Sequence, residues 1–293
     1  MKAFVFPGQG SQFPGMGKDL YDRFELAKKL FLTANKILGF DISEIIFNGS
    51  KDDLKETKIT QPAIYIHSIV LSKIMGDKFN PKFVAGHSLG ELSALTAIGT
   101  ISYEDGLKLV SKRAFAMQNA CENMPGTMAA ILGLEDKIVE QVCEEVNGKV
   151  VTANYNCPGQ IVVSGEIKAV EIACEKLKLL NAKRTLMLPV GGAFHSPLME
   201  SAKNEFKNEI ELIKFNNPIC PIYQNFTASP VFNPFDIKKN LIEQITSPVK
   251  WTHTIKNMSL DGANEFIELG PGKVLQGLIR KIMPDKESYS FEI

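Results

Sequence analysis

Between residues 126 and 190 the apolar positions switch repeatedly between the period of a strand and that of a helix. Residues 126–134 (GTMAAILGL) read as a strand, and residues 135–147 as a helix with Val139, Val142, Cys143 and Val146 at i, i+3, i+4 and i+7. Residues 149–156 and 160–164 read as two strands joined by the turn Cys157-Pro158-Gly159. A second helical stripe, Val170, Ala173, Cys174, Leu177 and Leu180, leads to a closing strand at 183–190 (KRTLMLPV). The order β-α-β-β-α-β is that of a ferredoxin-like split unit, and it predicts a small domain at 124–189. The flanks follow another rule: short apolar runs at 3–6, 83–85, 221–224 and 265–269 each precede turn residues and a helical pattern. That alternation predicts a parallel α/β sheet, so the small domain is an insertion into a discontinuous large domain, 1–123 and 190–293. Ser102-Tyr103-Glu104-Asp105 has the form of a capping box, which starts a helix near Tyr103 and places Arg113 and Met117 on one face.

Composition agrees with two domains, since 293 residues at roughly 150 per domain give about that number. Hydrophobic residues at 44% and aromatics at 9% exclude a disordered chain, while Gly 22 and Pro 15 are too few for low complexity. Lys+Arg 33 against Asp+Glu 33 leaves no overall basic field, so neither nucleic acid nor a membrane surface is an expected partner, and a monomer is expected. The five cysteines form no CxxC pair and no histidine stands at zinc-ligand spacing, which predicts reduced, mostly buried thiols and no metal. The opening MKAFVFPGQG is too short for a secretion signal, and no run reaches the ~18 apolar residues of a membrane span. A cytoplasmic protein is expected, or an organelle-luminal one if a transit peptide has been removed.

The sharpest chemical signal is GHSLG at 86–90, a G-x-S-x-G that follows the strand Phe83-Val84-Ala85 and opens a helix rich in Leu and Ala. Its glycines allow a sharp turn, and Ser88 then projects where free backbone N–H groups can stabilise an oxyanion. The alternative is a glycine-rich turn with a capping serine. Such a serine needs a base, and the chain holds four histidines. His87 adjoins Ser88 and is expected to support the turn, while His67, in an apolar helical run, is expected to pack with its polar atoms satisfied. His195 stands in GGAFHSP at 191–197, between a strand and a helix where active-site loops of α/β sheets lie, and is the expected base. His253 competes if the chain is a serine esterase or thioesterase of the ordinary α/β-hydrolase type, with Asp236 as its acid. The loop Gly8-Gln9-Gly10-Ser11-Gln12 fails the dinucleotide fingerprint at Phe13 and the Walker spacing at Met16, leaving either a bland turn or a loop that faces an anion.

Taken together these segments resemble the malonyl-CoA:acyl carrier protein transacylases, relatives of the acyltransferase domains of fatty-acid and polyketide synthases. The likeness runs nearly end to end, through FPGQGSQ at 6–12, TQPA at 60–63, GHSLGE at 86–91 and KRAFAMQ at 112–118. It continues through NCPGQIVVSG at 156–165, FHSPLM at 194–199, NFTASP at 225–230, SPVKW at 247–251 and ELGPGKVL at 268–275. The resemblance implies a hydrolase-like α/β domain carrying the ferredoxin-like insertion, and transfer of a malonyl group through a serine ester in fatty-acid synthesis. It implies Ser88 as nucleophile, His195 as base, Gln9 and the Leu89 backbone N–H at the oxyanion, and Gln244 beside His195. Arg113 would hold the malonyl carboxylate, with Met117 lining the acyl pocket and Phe194 narrowing it. Malonyl-CoA is the implied donor, the acceptor is phosphopantetheine borne by an acyl carrier protein, and no bound cofactor is implied. Lys183 and Arg184, at the start of the strand leading to the His195 loop, are expected to flank the cleft and meet the acidic carrier protein, with Arg280 and Lys281 as the next basic pair. A third reading, a catalytically idle module that only docks carrier proteins, is opposed by the presence of Ser88, His195 and Arg113 together.

Overall fold

The computed structural model describes residues 1–291. Among the described residues ten strands form two sheets. Strands β1 (Lys2–Phe6), β2 (Phe83–Gly86), β7 (Ile222–Tyr223), β8 (Pro230–Val231), β9 (Glu265–Glu268) and β10 (Glu287–Ser290) make the larger, in the order β10-β9-β1-β2-β7-β8. All neighbours in it run parallel except β8, which returns antiparallel to β7. The continuous apolar run of β1 follows from burial on both faces: Phe4 and Phe6 feed one core, with Val84, Ile222 and Ile267, and Ala3 and Val5 feed the other, with Trp251 and Phe266. The last two residues of the expected large domain, 292 and 293, lie outside the described residues.

The smaller sheet is built from β3 (Thr127–Leu132), β4 (Val150–Cys157), β5 (Gln160–Gly165) and β6 (Arg184–Met187), ordered β4-β5-β3-β6 and antiparallel throughout. With helices at Asp136–Glu145 and Ile167–Leu179 it is the ferredoxin-like β-α-β-β-α-β unit that the periodicity predicts. Ala129, Ile131, Val163, Val170 and Leu177 pack between this sheet and its helices, whereas Met128, Ala130 and Val162 on the opposite face join the core of the larger unit. A further tie is made where Val249 bridges to Asn154, with Tyr155 N–H donating to the Val249 carbonyl at 2.9 Å.

Two strands escape the sequence pattern for physical reasons. β8 is a two-residue edge strand that begins with Pro230, and β10 reads ESYS, a polar edge with no apolar alternation. The predicted capping box is half formed: the Ser102 hydroxyl accepts from the Asp105 N–H at 3.0 Å and starts the helix Tyr103–Asn123. All five cysteines are buried and free. Among the described residues no group of side chains could hold a metal ion, and no helix is long and apolar enough to cross a membrane.

Candidate active site

The carboxyl ends of the parallel strands β1, β2 and β7 converge on one spot, and the turn after β2 lies at its centre. Ser88 has a φ of +52°, a left-handed conformation unusual for a residue with a side chain. The turn closes only because its flanking residues are glycine. A Cβ on Gly86 would fall 1.8 Å from the Gly90 carbonyl carbon, and one on Gly90 would fall 2.0 Å from the Phe6 carbonyl oxygen. The helix Gly90–Ala97 follows at once, so the Leu89 backbone N–H precedes its hydrogen-bonded ladder and points among the free donors of a helix start.

Ser88 Oγ lies 2.8 Å from His195 Nε2, although 107 residues separate them in sequence. His195 also has a left-handed backbone, with φ +57°, and is 4% exposed. Its Nδ1 faces the Gln244 backbone carbonyl at 2.9 Å. A carbonyl can only accept, so Nδ1 carries the hydrogen and the neutral ring turns the lone pair of Nε2 toward the serine hydroxyl. Burial, reinforced by the positive charge of Arg113, pushes the His195 pKa down to about 3. The imidazole is therefore uncharged at neutral pH, with the Nε2 lone pair directed at the hydroxyl.

Arg113 comes from the middle of the helix Tyr103–Asn123 and is 2% exposed, far from the solvated surface position that is usual for arginine. Its Nη1 donates to Gln61 Oε1 at 2.7 Å, and its Nη2 donates to Gln244 Oε1 at 3.1 Å and to Ser88 Oγ at 3.0 Å. Burial lowers its pKa to about 10, which leaves it charged. Every one of these partners is neutral. A buried cation without a paired carboxylate, next to a serine hydroxyl, has the chemistry to seat an anion.

The cavity above this pair has a volume of about 180 Å³. Gln9, Leu89, Met117 and Phe194 all line it, and Gln61 Nε2 lies 3.5 Å from the Met117 sulfur. Met128, Val162 and Leu188 form part of the wall contributed by the smaller unit. His87 turns from Ser88 to meet Asn156 Oδ1 at 3.0 Å, consistent with support of the turn.

Two sequence expectations need correction. His67 is buried, but its Nδ1 has no hydrogen-bond partner, so it packs without being satisfied; burial accordingly drives its pKa down to about 4. His253 is exposed on the helix Trp251–Leu260 with its ring against Tyr155, and Asp236 is exposed near the start of the helix Pro234–Gln244. Neither lines the Ser88 cavity, because a helical surface face carries each of them toward solvent. The hydrolase triad built on that pair is thereby removed. Lys183 and Arg184 are exposed at the start of β6, outside the cavity lining. Arg280 Nη2 is engaged with the Ser288 carbonyl at 3.0 Å.

Four participants were not singled out from the sequence: Gln61, Glu91, Asn156 and Asn225. Each stands inside a motif that carries the resemblance (TQPA, GHSLGE, NCPGQIVVSG and NFTASP), so the signal was present without a role. Glu91 is fully buried one turn after Ser88 and accepts from the Asn225 N–H and the Gln224 amide, and burial still pushes its pKa up to about 7.

The protonation of His195 gives a direct check. Because its folded pKa is depressed, its neutral form persists as pH falls through the ordinary imidazole range near 6.5. In an NMR titration of ring-labelled protein, the His195 signals should hold their neutral Nδ1–H pattern from pH 8 down to about 5. A midpoint near 6.5 would show that the ring is solvated and that the assigned geometry is wrong.

Comparison with known proteins places the chain in a family. The model of the acyl transferase domain matches residues 3–290. A malonyl CoA-acyl carrier protein transacylase of Bacillus subtilis (strain 168) is 44% identical over 284 residues, covering 96% of this chain and 90% of that protein. The crystal structure of an acyl carrier protein S-malonyltransferase from Vibrio cholerae superposes with a TM-score of 0.95 at 38% identity, covering 99% of this chain and 96% of the other. A malonyl-transacylase held in complex with a type II PKS acyl-carrier protein gives 0.94 at 36% identity, covering 99% and 95%. With a match of this length and strands that agree in space, the chain belongs to the acyl transferase domain family, among the malonyl-CoA:acyl carrier protein transacylases.

Proposed function

We propose that this chain transfers the malonyl group of malonyl-CoA to the phosphopantetheine thiol of an acyl carrier protein, supplying fatty-acid synthesis through an ester on Ser88. The observation that carries the reading is the buried Arg113 with neutral partners, 3.0 Å from the hydroxyl that faces His195. A serine–histidine pair alone fits any acyl chemistry. The added cation selects an acyl group that ends in a carboxylate, and a guanidinium matches that group with two parallel hydrogen bonds that lysine cannot reproduce.

In the first half-reaction Ser88 Oγ attacks the thioester carbonyl carbon while its proton passes to His195 Nε2. The oxygen of the tetrahedral adduct gathers negative charge, for which the Leu89 N–H and the Gln9 side chain are the donors. The adduct collapses, the C–S bond breaks, and CoA leaves with the proton from Nε2. In the second, the carrier's thiol gives its proton to Nε2 and its sulfur attacks the ester, and the Ser88 oxygen departs and recovers that proton. The transient imidazolium is stabilised by a carbonyl in place of a carboxylate, which keeps the site less negative toward a malonate-like substrate. Met117 and Phe194 bound the space around the acyl chain. We assign the large unit, 1–123 with 190–293, the reacting groups, and the unit at 124–189 the opposite wall of the cleft. The protein acts in the cytoplasm as a monomer, without a bound cofactor, nucleic acid or membrane.

Incubation with malonyl-CoA should give a stable malonyl adduct that peptide mapping places on the Ser88 peptide, with ping-pong kinetics in the presence of carrier protein. Steady CoA release without a thiol acceptor would indicate a hydrolase, no reaction would indicate an idle module, and normal transfer by Ser88→Ala would end the mechanism. Arg113→Ala should remove a charge-assisted contact worth about 1.5–3 kcal/mol, lowering kcat/KM for malonyl-CoA while sparing neutral acetyl-CoA. Equal losses for both substrates would make Arg113 structural. Carrier docking is assigned to Lys183 and Arg184, exposed where β6 begins. Rim charges act mainly on encounter, so Lys183→Glu with Arg184→Glu should raise KM for carrier protein far more than KM for malonyl-CoA and flatten the salt dependence. Unchanged transfer to the carrier at low salt would move the docking surface to Arg280 and Lys281.

A further inference from the structure

The backbone of Ser88 is held from outside its own turn, by a side chain that the reaction does not use. Asn225 follows β7 and is fully buried, and it is absent from the lining of the Ser88 cavity. Its Oδ1 accepts from the Ser88 backbone N–H at 2.7 Å and from Gln244 Nε2 at 3.2 Å, while its Nδ2 donates to the Gly86 carbonyl at 2.7 Å. One planar amide therefore grips the peptide on both sides of His87 and binds it to Gln244, whose own amide donates to the Ser88 carbonyl at 3.1 Å. Its orientation is fixed, since a flipped amide would set donor against donor and oxygen against oxygen.

Asn225 is itself anchored. Its backbone N–H donates to the Glu91 carboxylate, whose other oxygen accepts from Gln224 Nε2 at 3.3 Å. Gln224 also donates to the Ile237 carbonyl at 3.1 Å and accepts from Asn240 Nδ2 at 3.0 Å. Both Ile237 and Asn240 belong to the helix Pro234–Gln244, whose last residue presents its carbonyl to His195. A continuous set of buried hydrogen bonds thus joins the serine turn to the element that orients the histidine. A positive φ at Ser88 has a conformational cost, and it persists only where surrounding groups over-determine it.

We propose that Asn225 is a positioning residue, which holds the Ser88 peptide and the Gln244 amide in the one arrangement that sets Ser88 Oγ against His195. The inference rests on Ser88 being the nucleophile. Asn225 acts through Ser88 and Gln244 and touches no substrate, so its loss slows the chemical step and leaves substrate binding in place. A displacement of about 1 Å at reacting atoms is enough for a 10²-fold loss.

The test compares Asn225→Ala and Asn225→Asp with the parent, measuring single-turnover malonylation by mass and kcat and KM for malonyl-CoA, with thermal melts of each protein. A parent that does not acquire malonyl on Ser88 would refute the functional reading itself, separately from this proposal. With the parent acylated, Asn225→Ala should lose about 100-fold in acylation rate at a KM within twofold. Asn225→Asp, which keeps an oxygen acceptor for Ser88 and Gln244, should lose about tenfold. A folded alanine variant acylating within twofold of the parent overturns the proposal, as does a KM that rises in step with the rate loss. Where the alanine variant does not fold, the aspartate variant decides: a tenfold loss at unchanged KM supports the assignment, and a parent-like rate refutes it.

Discussion

Everything at the site depends on how closely one turn can approach the strand beside it. Gly90 lies against the Phe6 carbonyl and Gly86 against the Gly90 backbone, at separations that no side chain would permit. That contact brings the helix Gly90–Ala97 directly under the carboxyl end of β1 and leaves Ser88 raised at the edge of the sheet. From there the long-range partners follow. β7 and the segment after it supply Asn225, the helix Pro234–Gln244 supplies its terminal carbonyl, and the helix Tyr103–Asn123 directs Arg113 inward.

Electrostatics then divides the roles. Burial opposes charge on His195 and on Arg113 alike, yet with opposite outcomes: the imidazole becomes neutral, and the guanidinium, starting from a much higher pKa, remains a cation. The same low-dielectric surroundings thereby suit both groups to the roles proposed for them, a proton acceptor and an anion seat. Glu91, which does not line the cavity, favours the charged form of Arg113. A carboxylate in place of the Gln244 carbonyl would add negative charge at the spot where an anionic acyl group must enter.

Much of this was legible in the amino-acid order. The ferredoxin-like unit was readable because each of its two helices buries one stripe against the sheet, which leaves a strong periodic signal, as in Val139, Val142 and Val170, Ala173, Leu177. The G-x-S-x-G turn was readable because its glycines are sterically required. β8 and β10 were not, since an edge strand of two residues and one reading ESYS carry no apolar alternation. His253 and His195 could not be separated on residue type, because the distinction lies in which helix face and which loop carry them. Asn225 and Glu91 were invisible for a related reason: each meets a backbone group more than 130 residues away, and a polar side chain in a motif does not announce which main-chain group it will meet.

The central claim is that one acyl group engages Ser88, the oxyanion donors and Arg113 simultaneously. A crystal structure of the protein after reaction with malonyl-CoA measures this directly. The account requires an ester bond to Ser88 Oγ, with the ester carbonyl oxygen within hydrogen-bond distance of the Leu89 N–H and the Gln9 amide. It also requires the distal carboxylate to be paired with both terminal nitrogens of Arg113, displacing its present contact with Ser88. A malonyl group whose carboxylate extends into solvent, with Arg113 still bound to Gln61 and Gln244 alone, would contradict it.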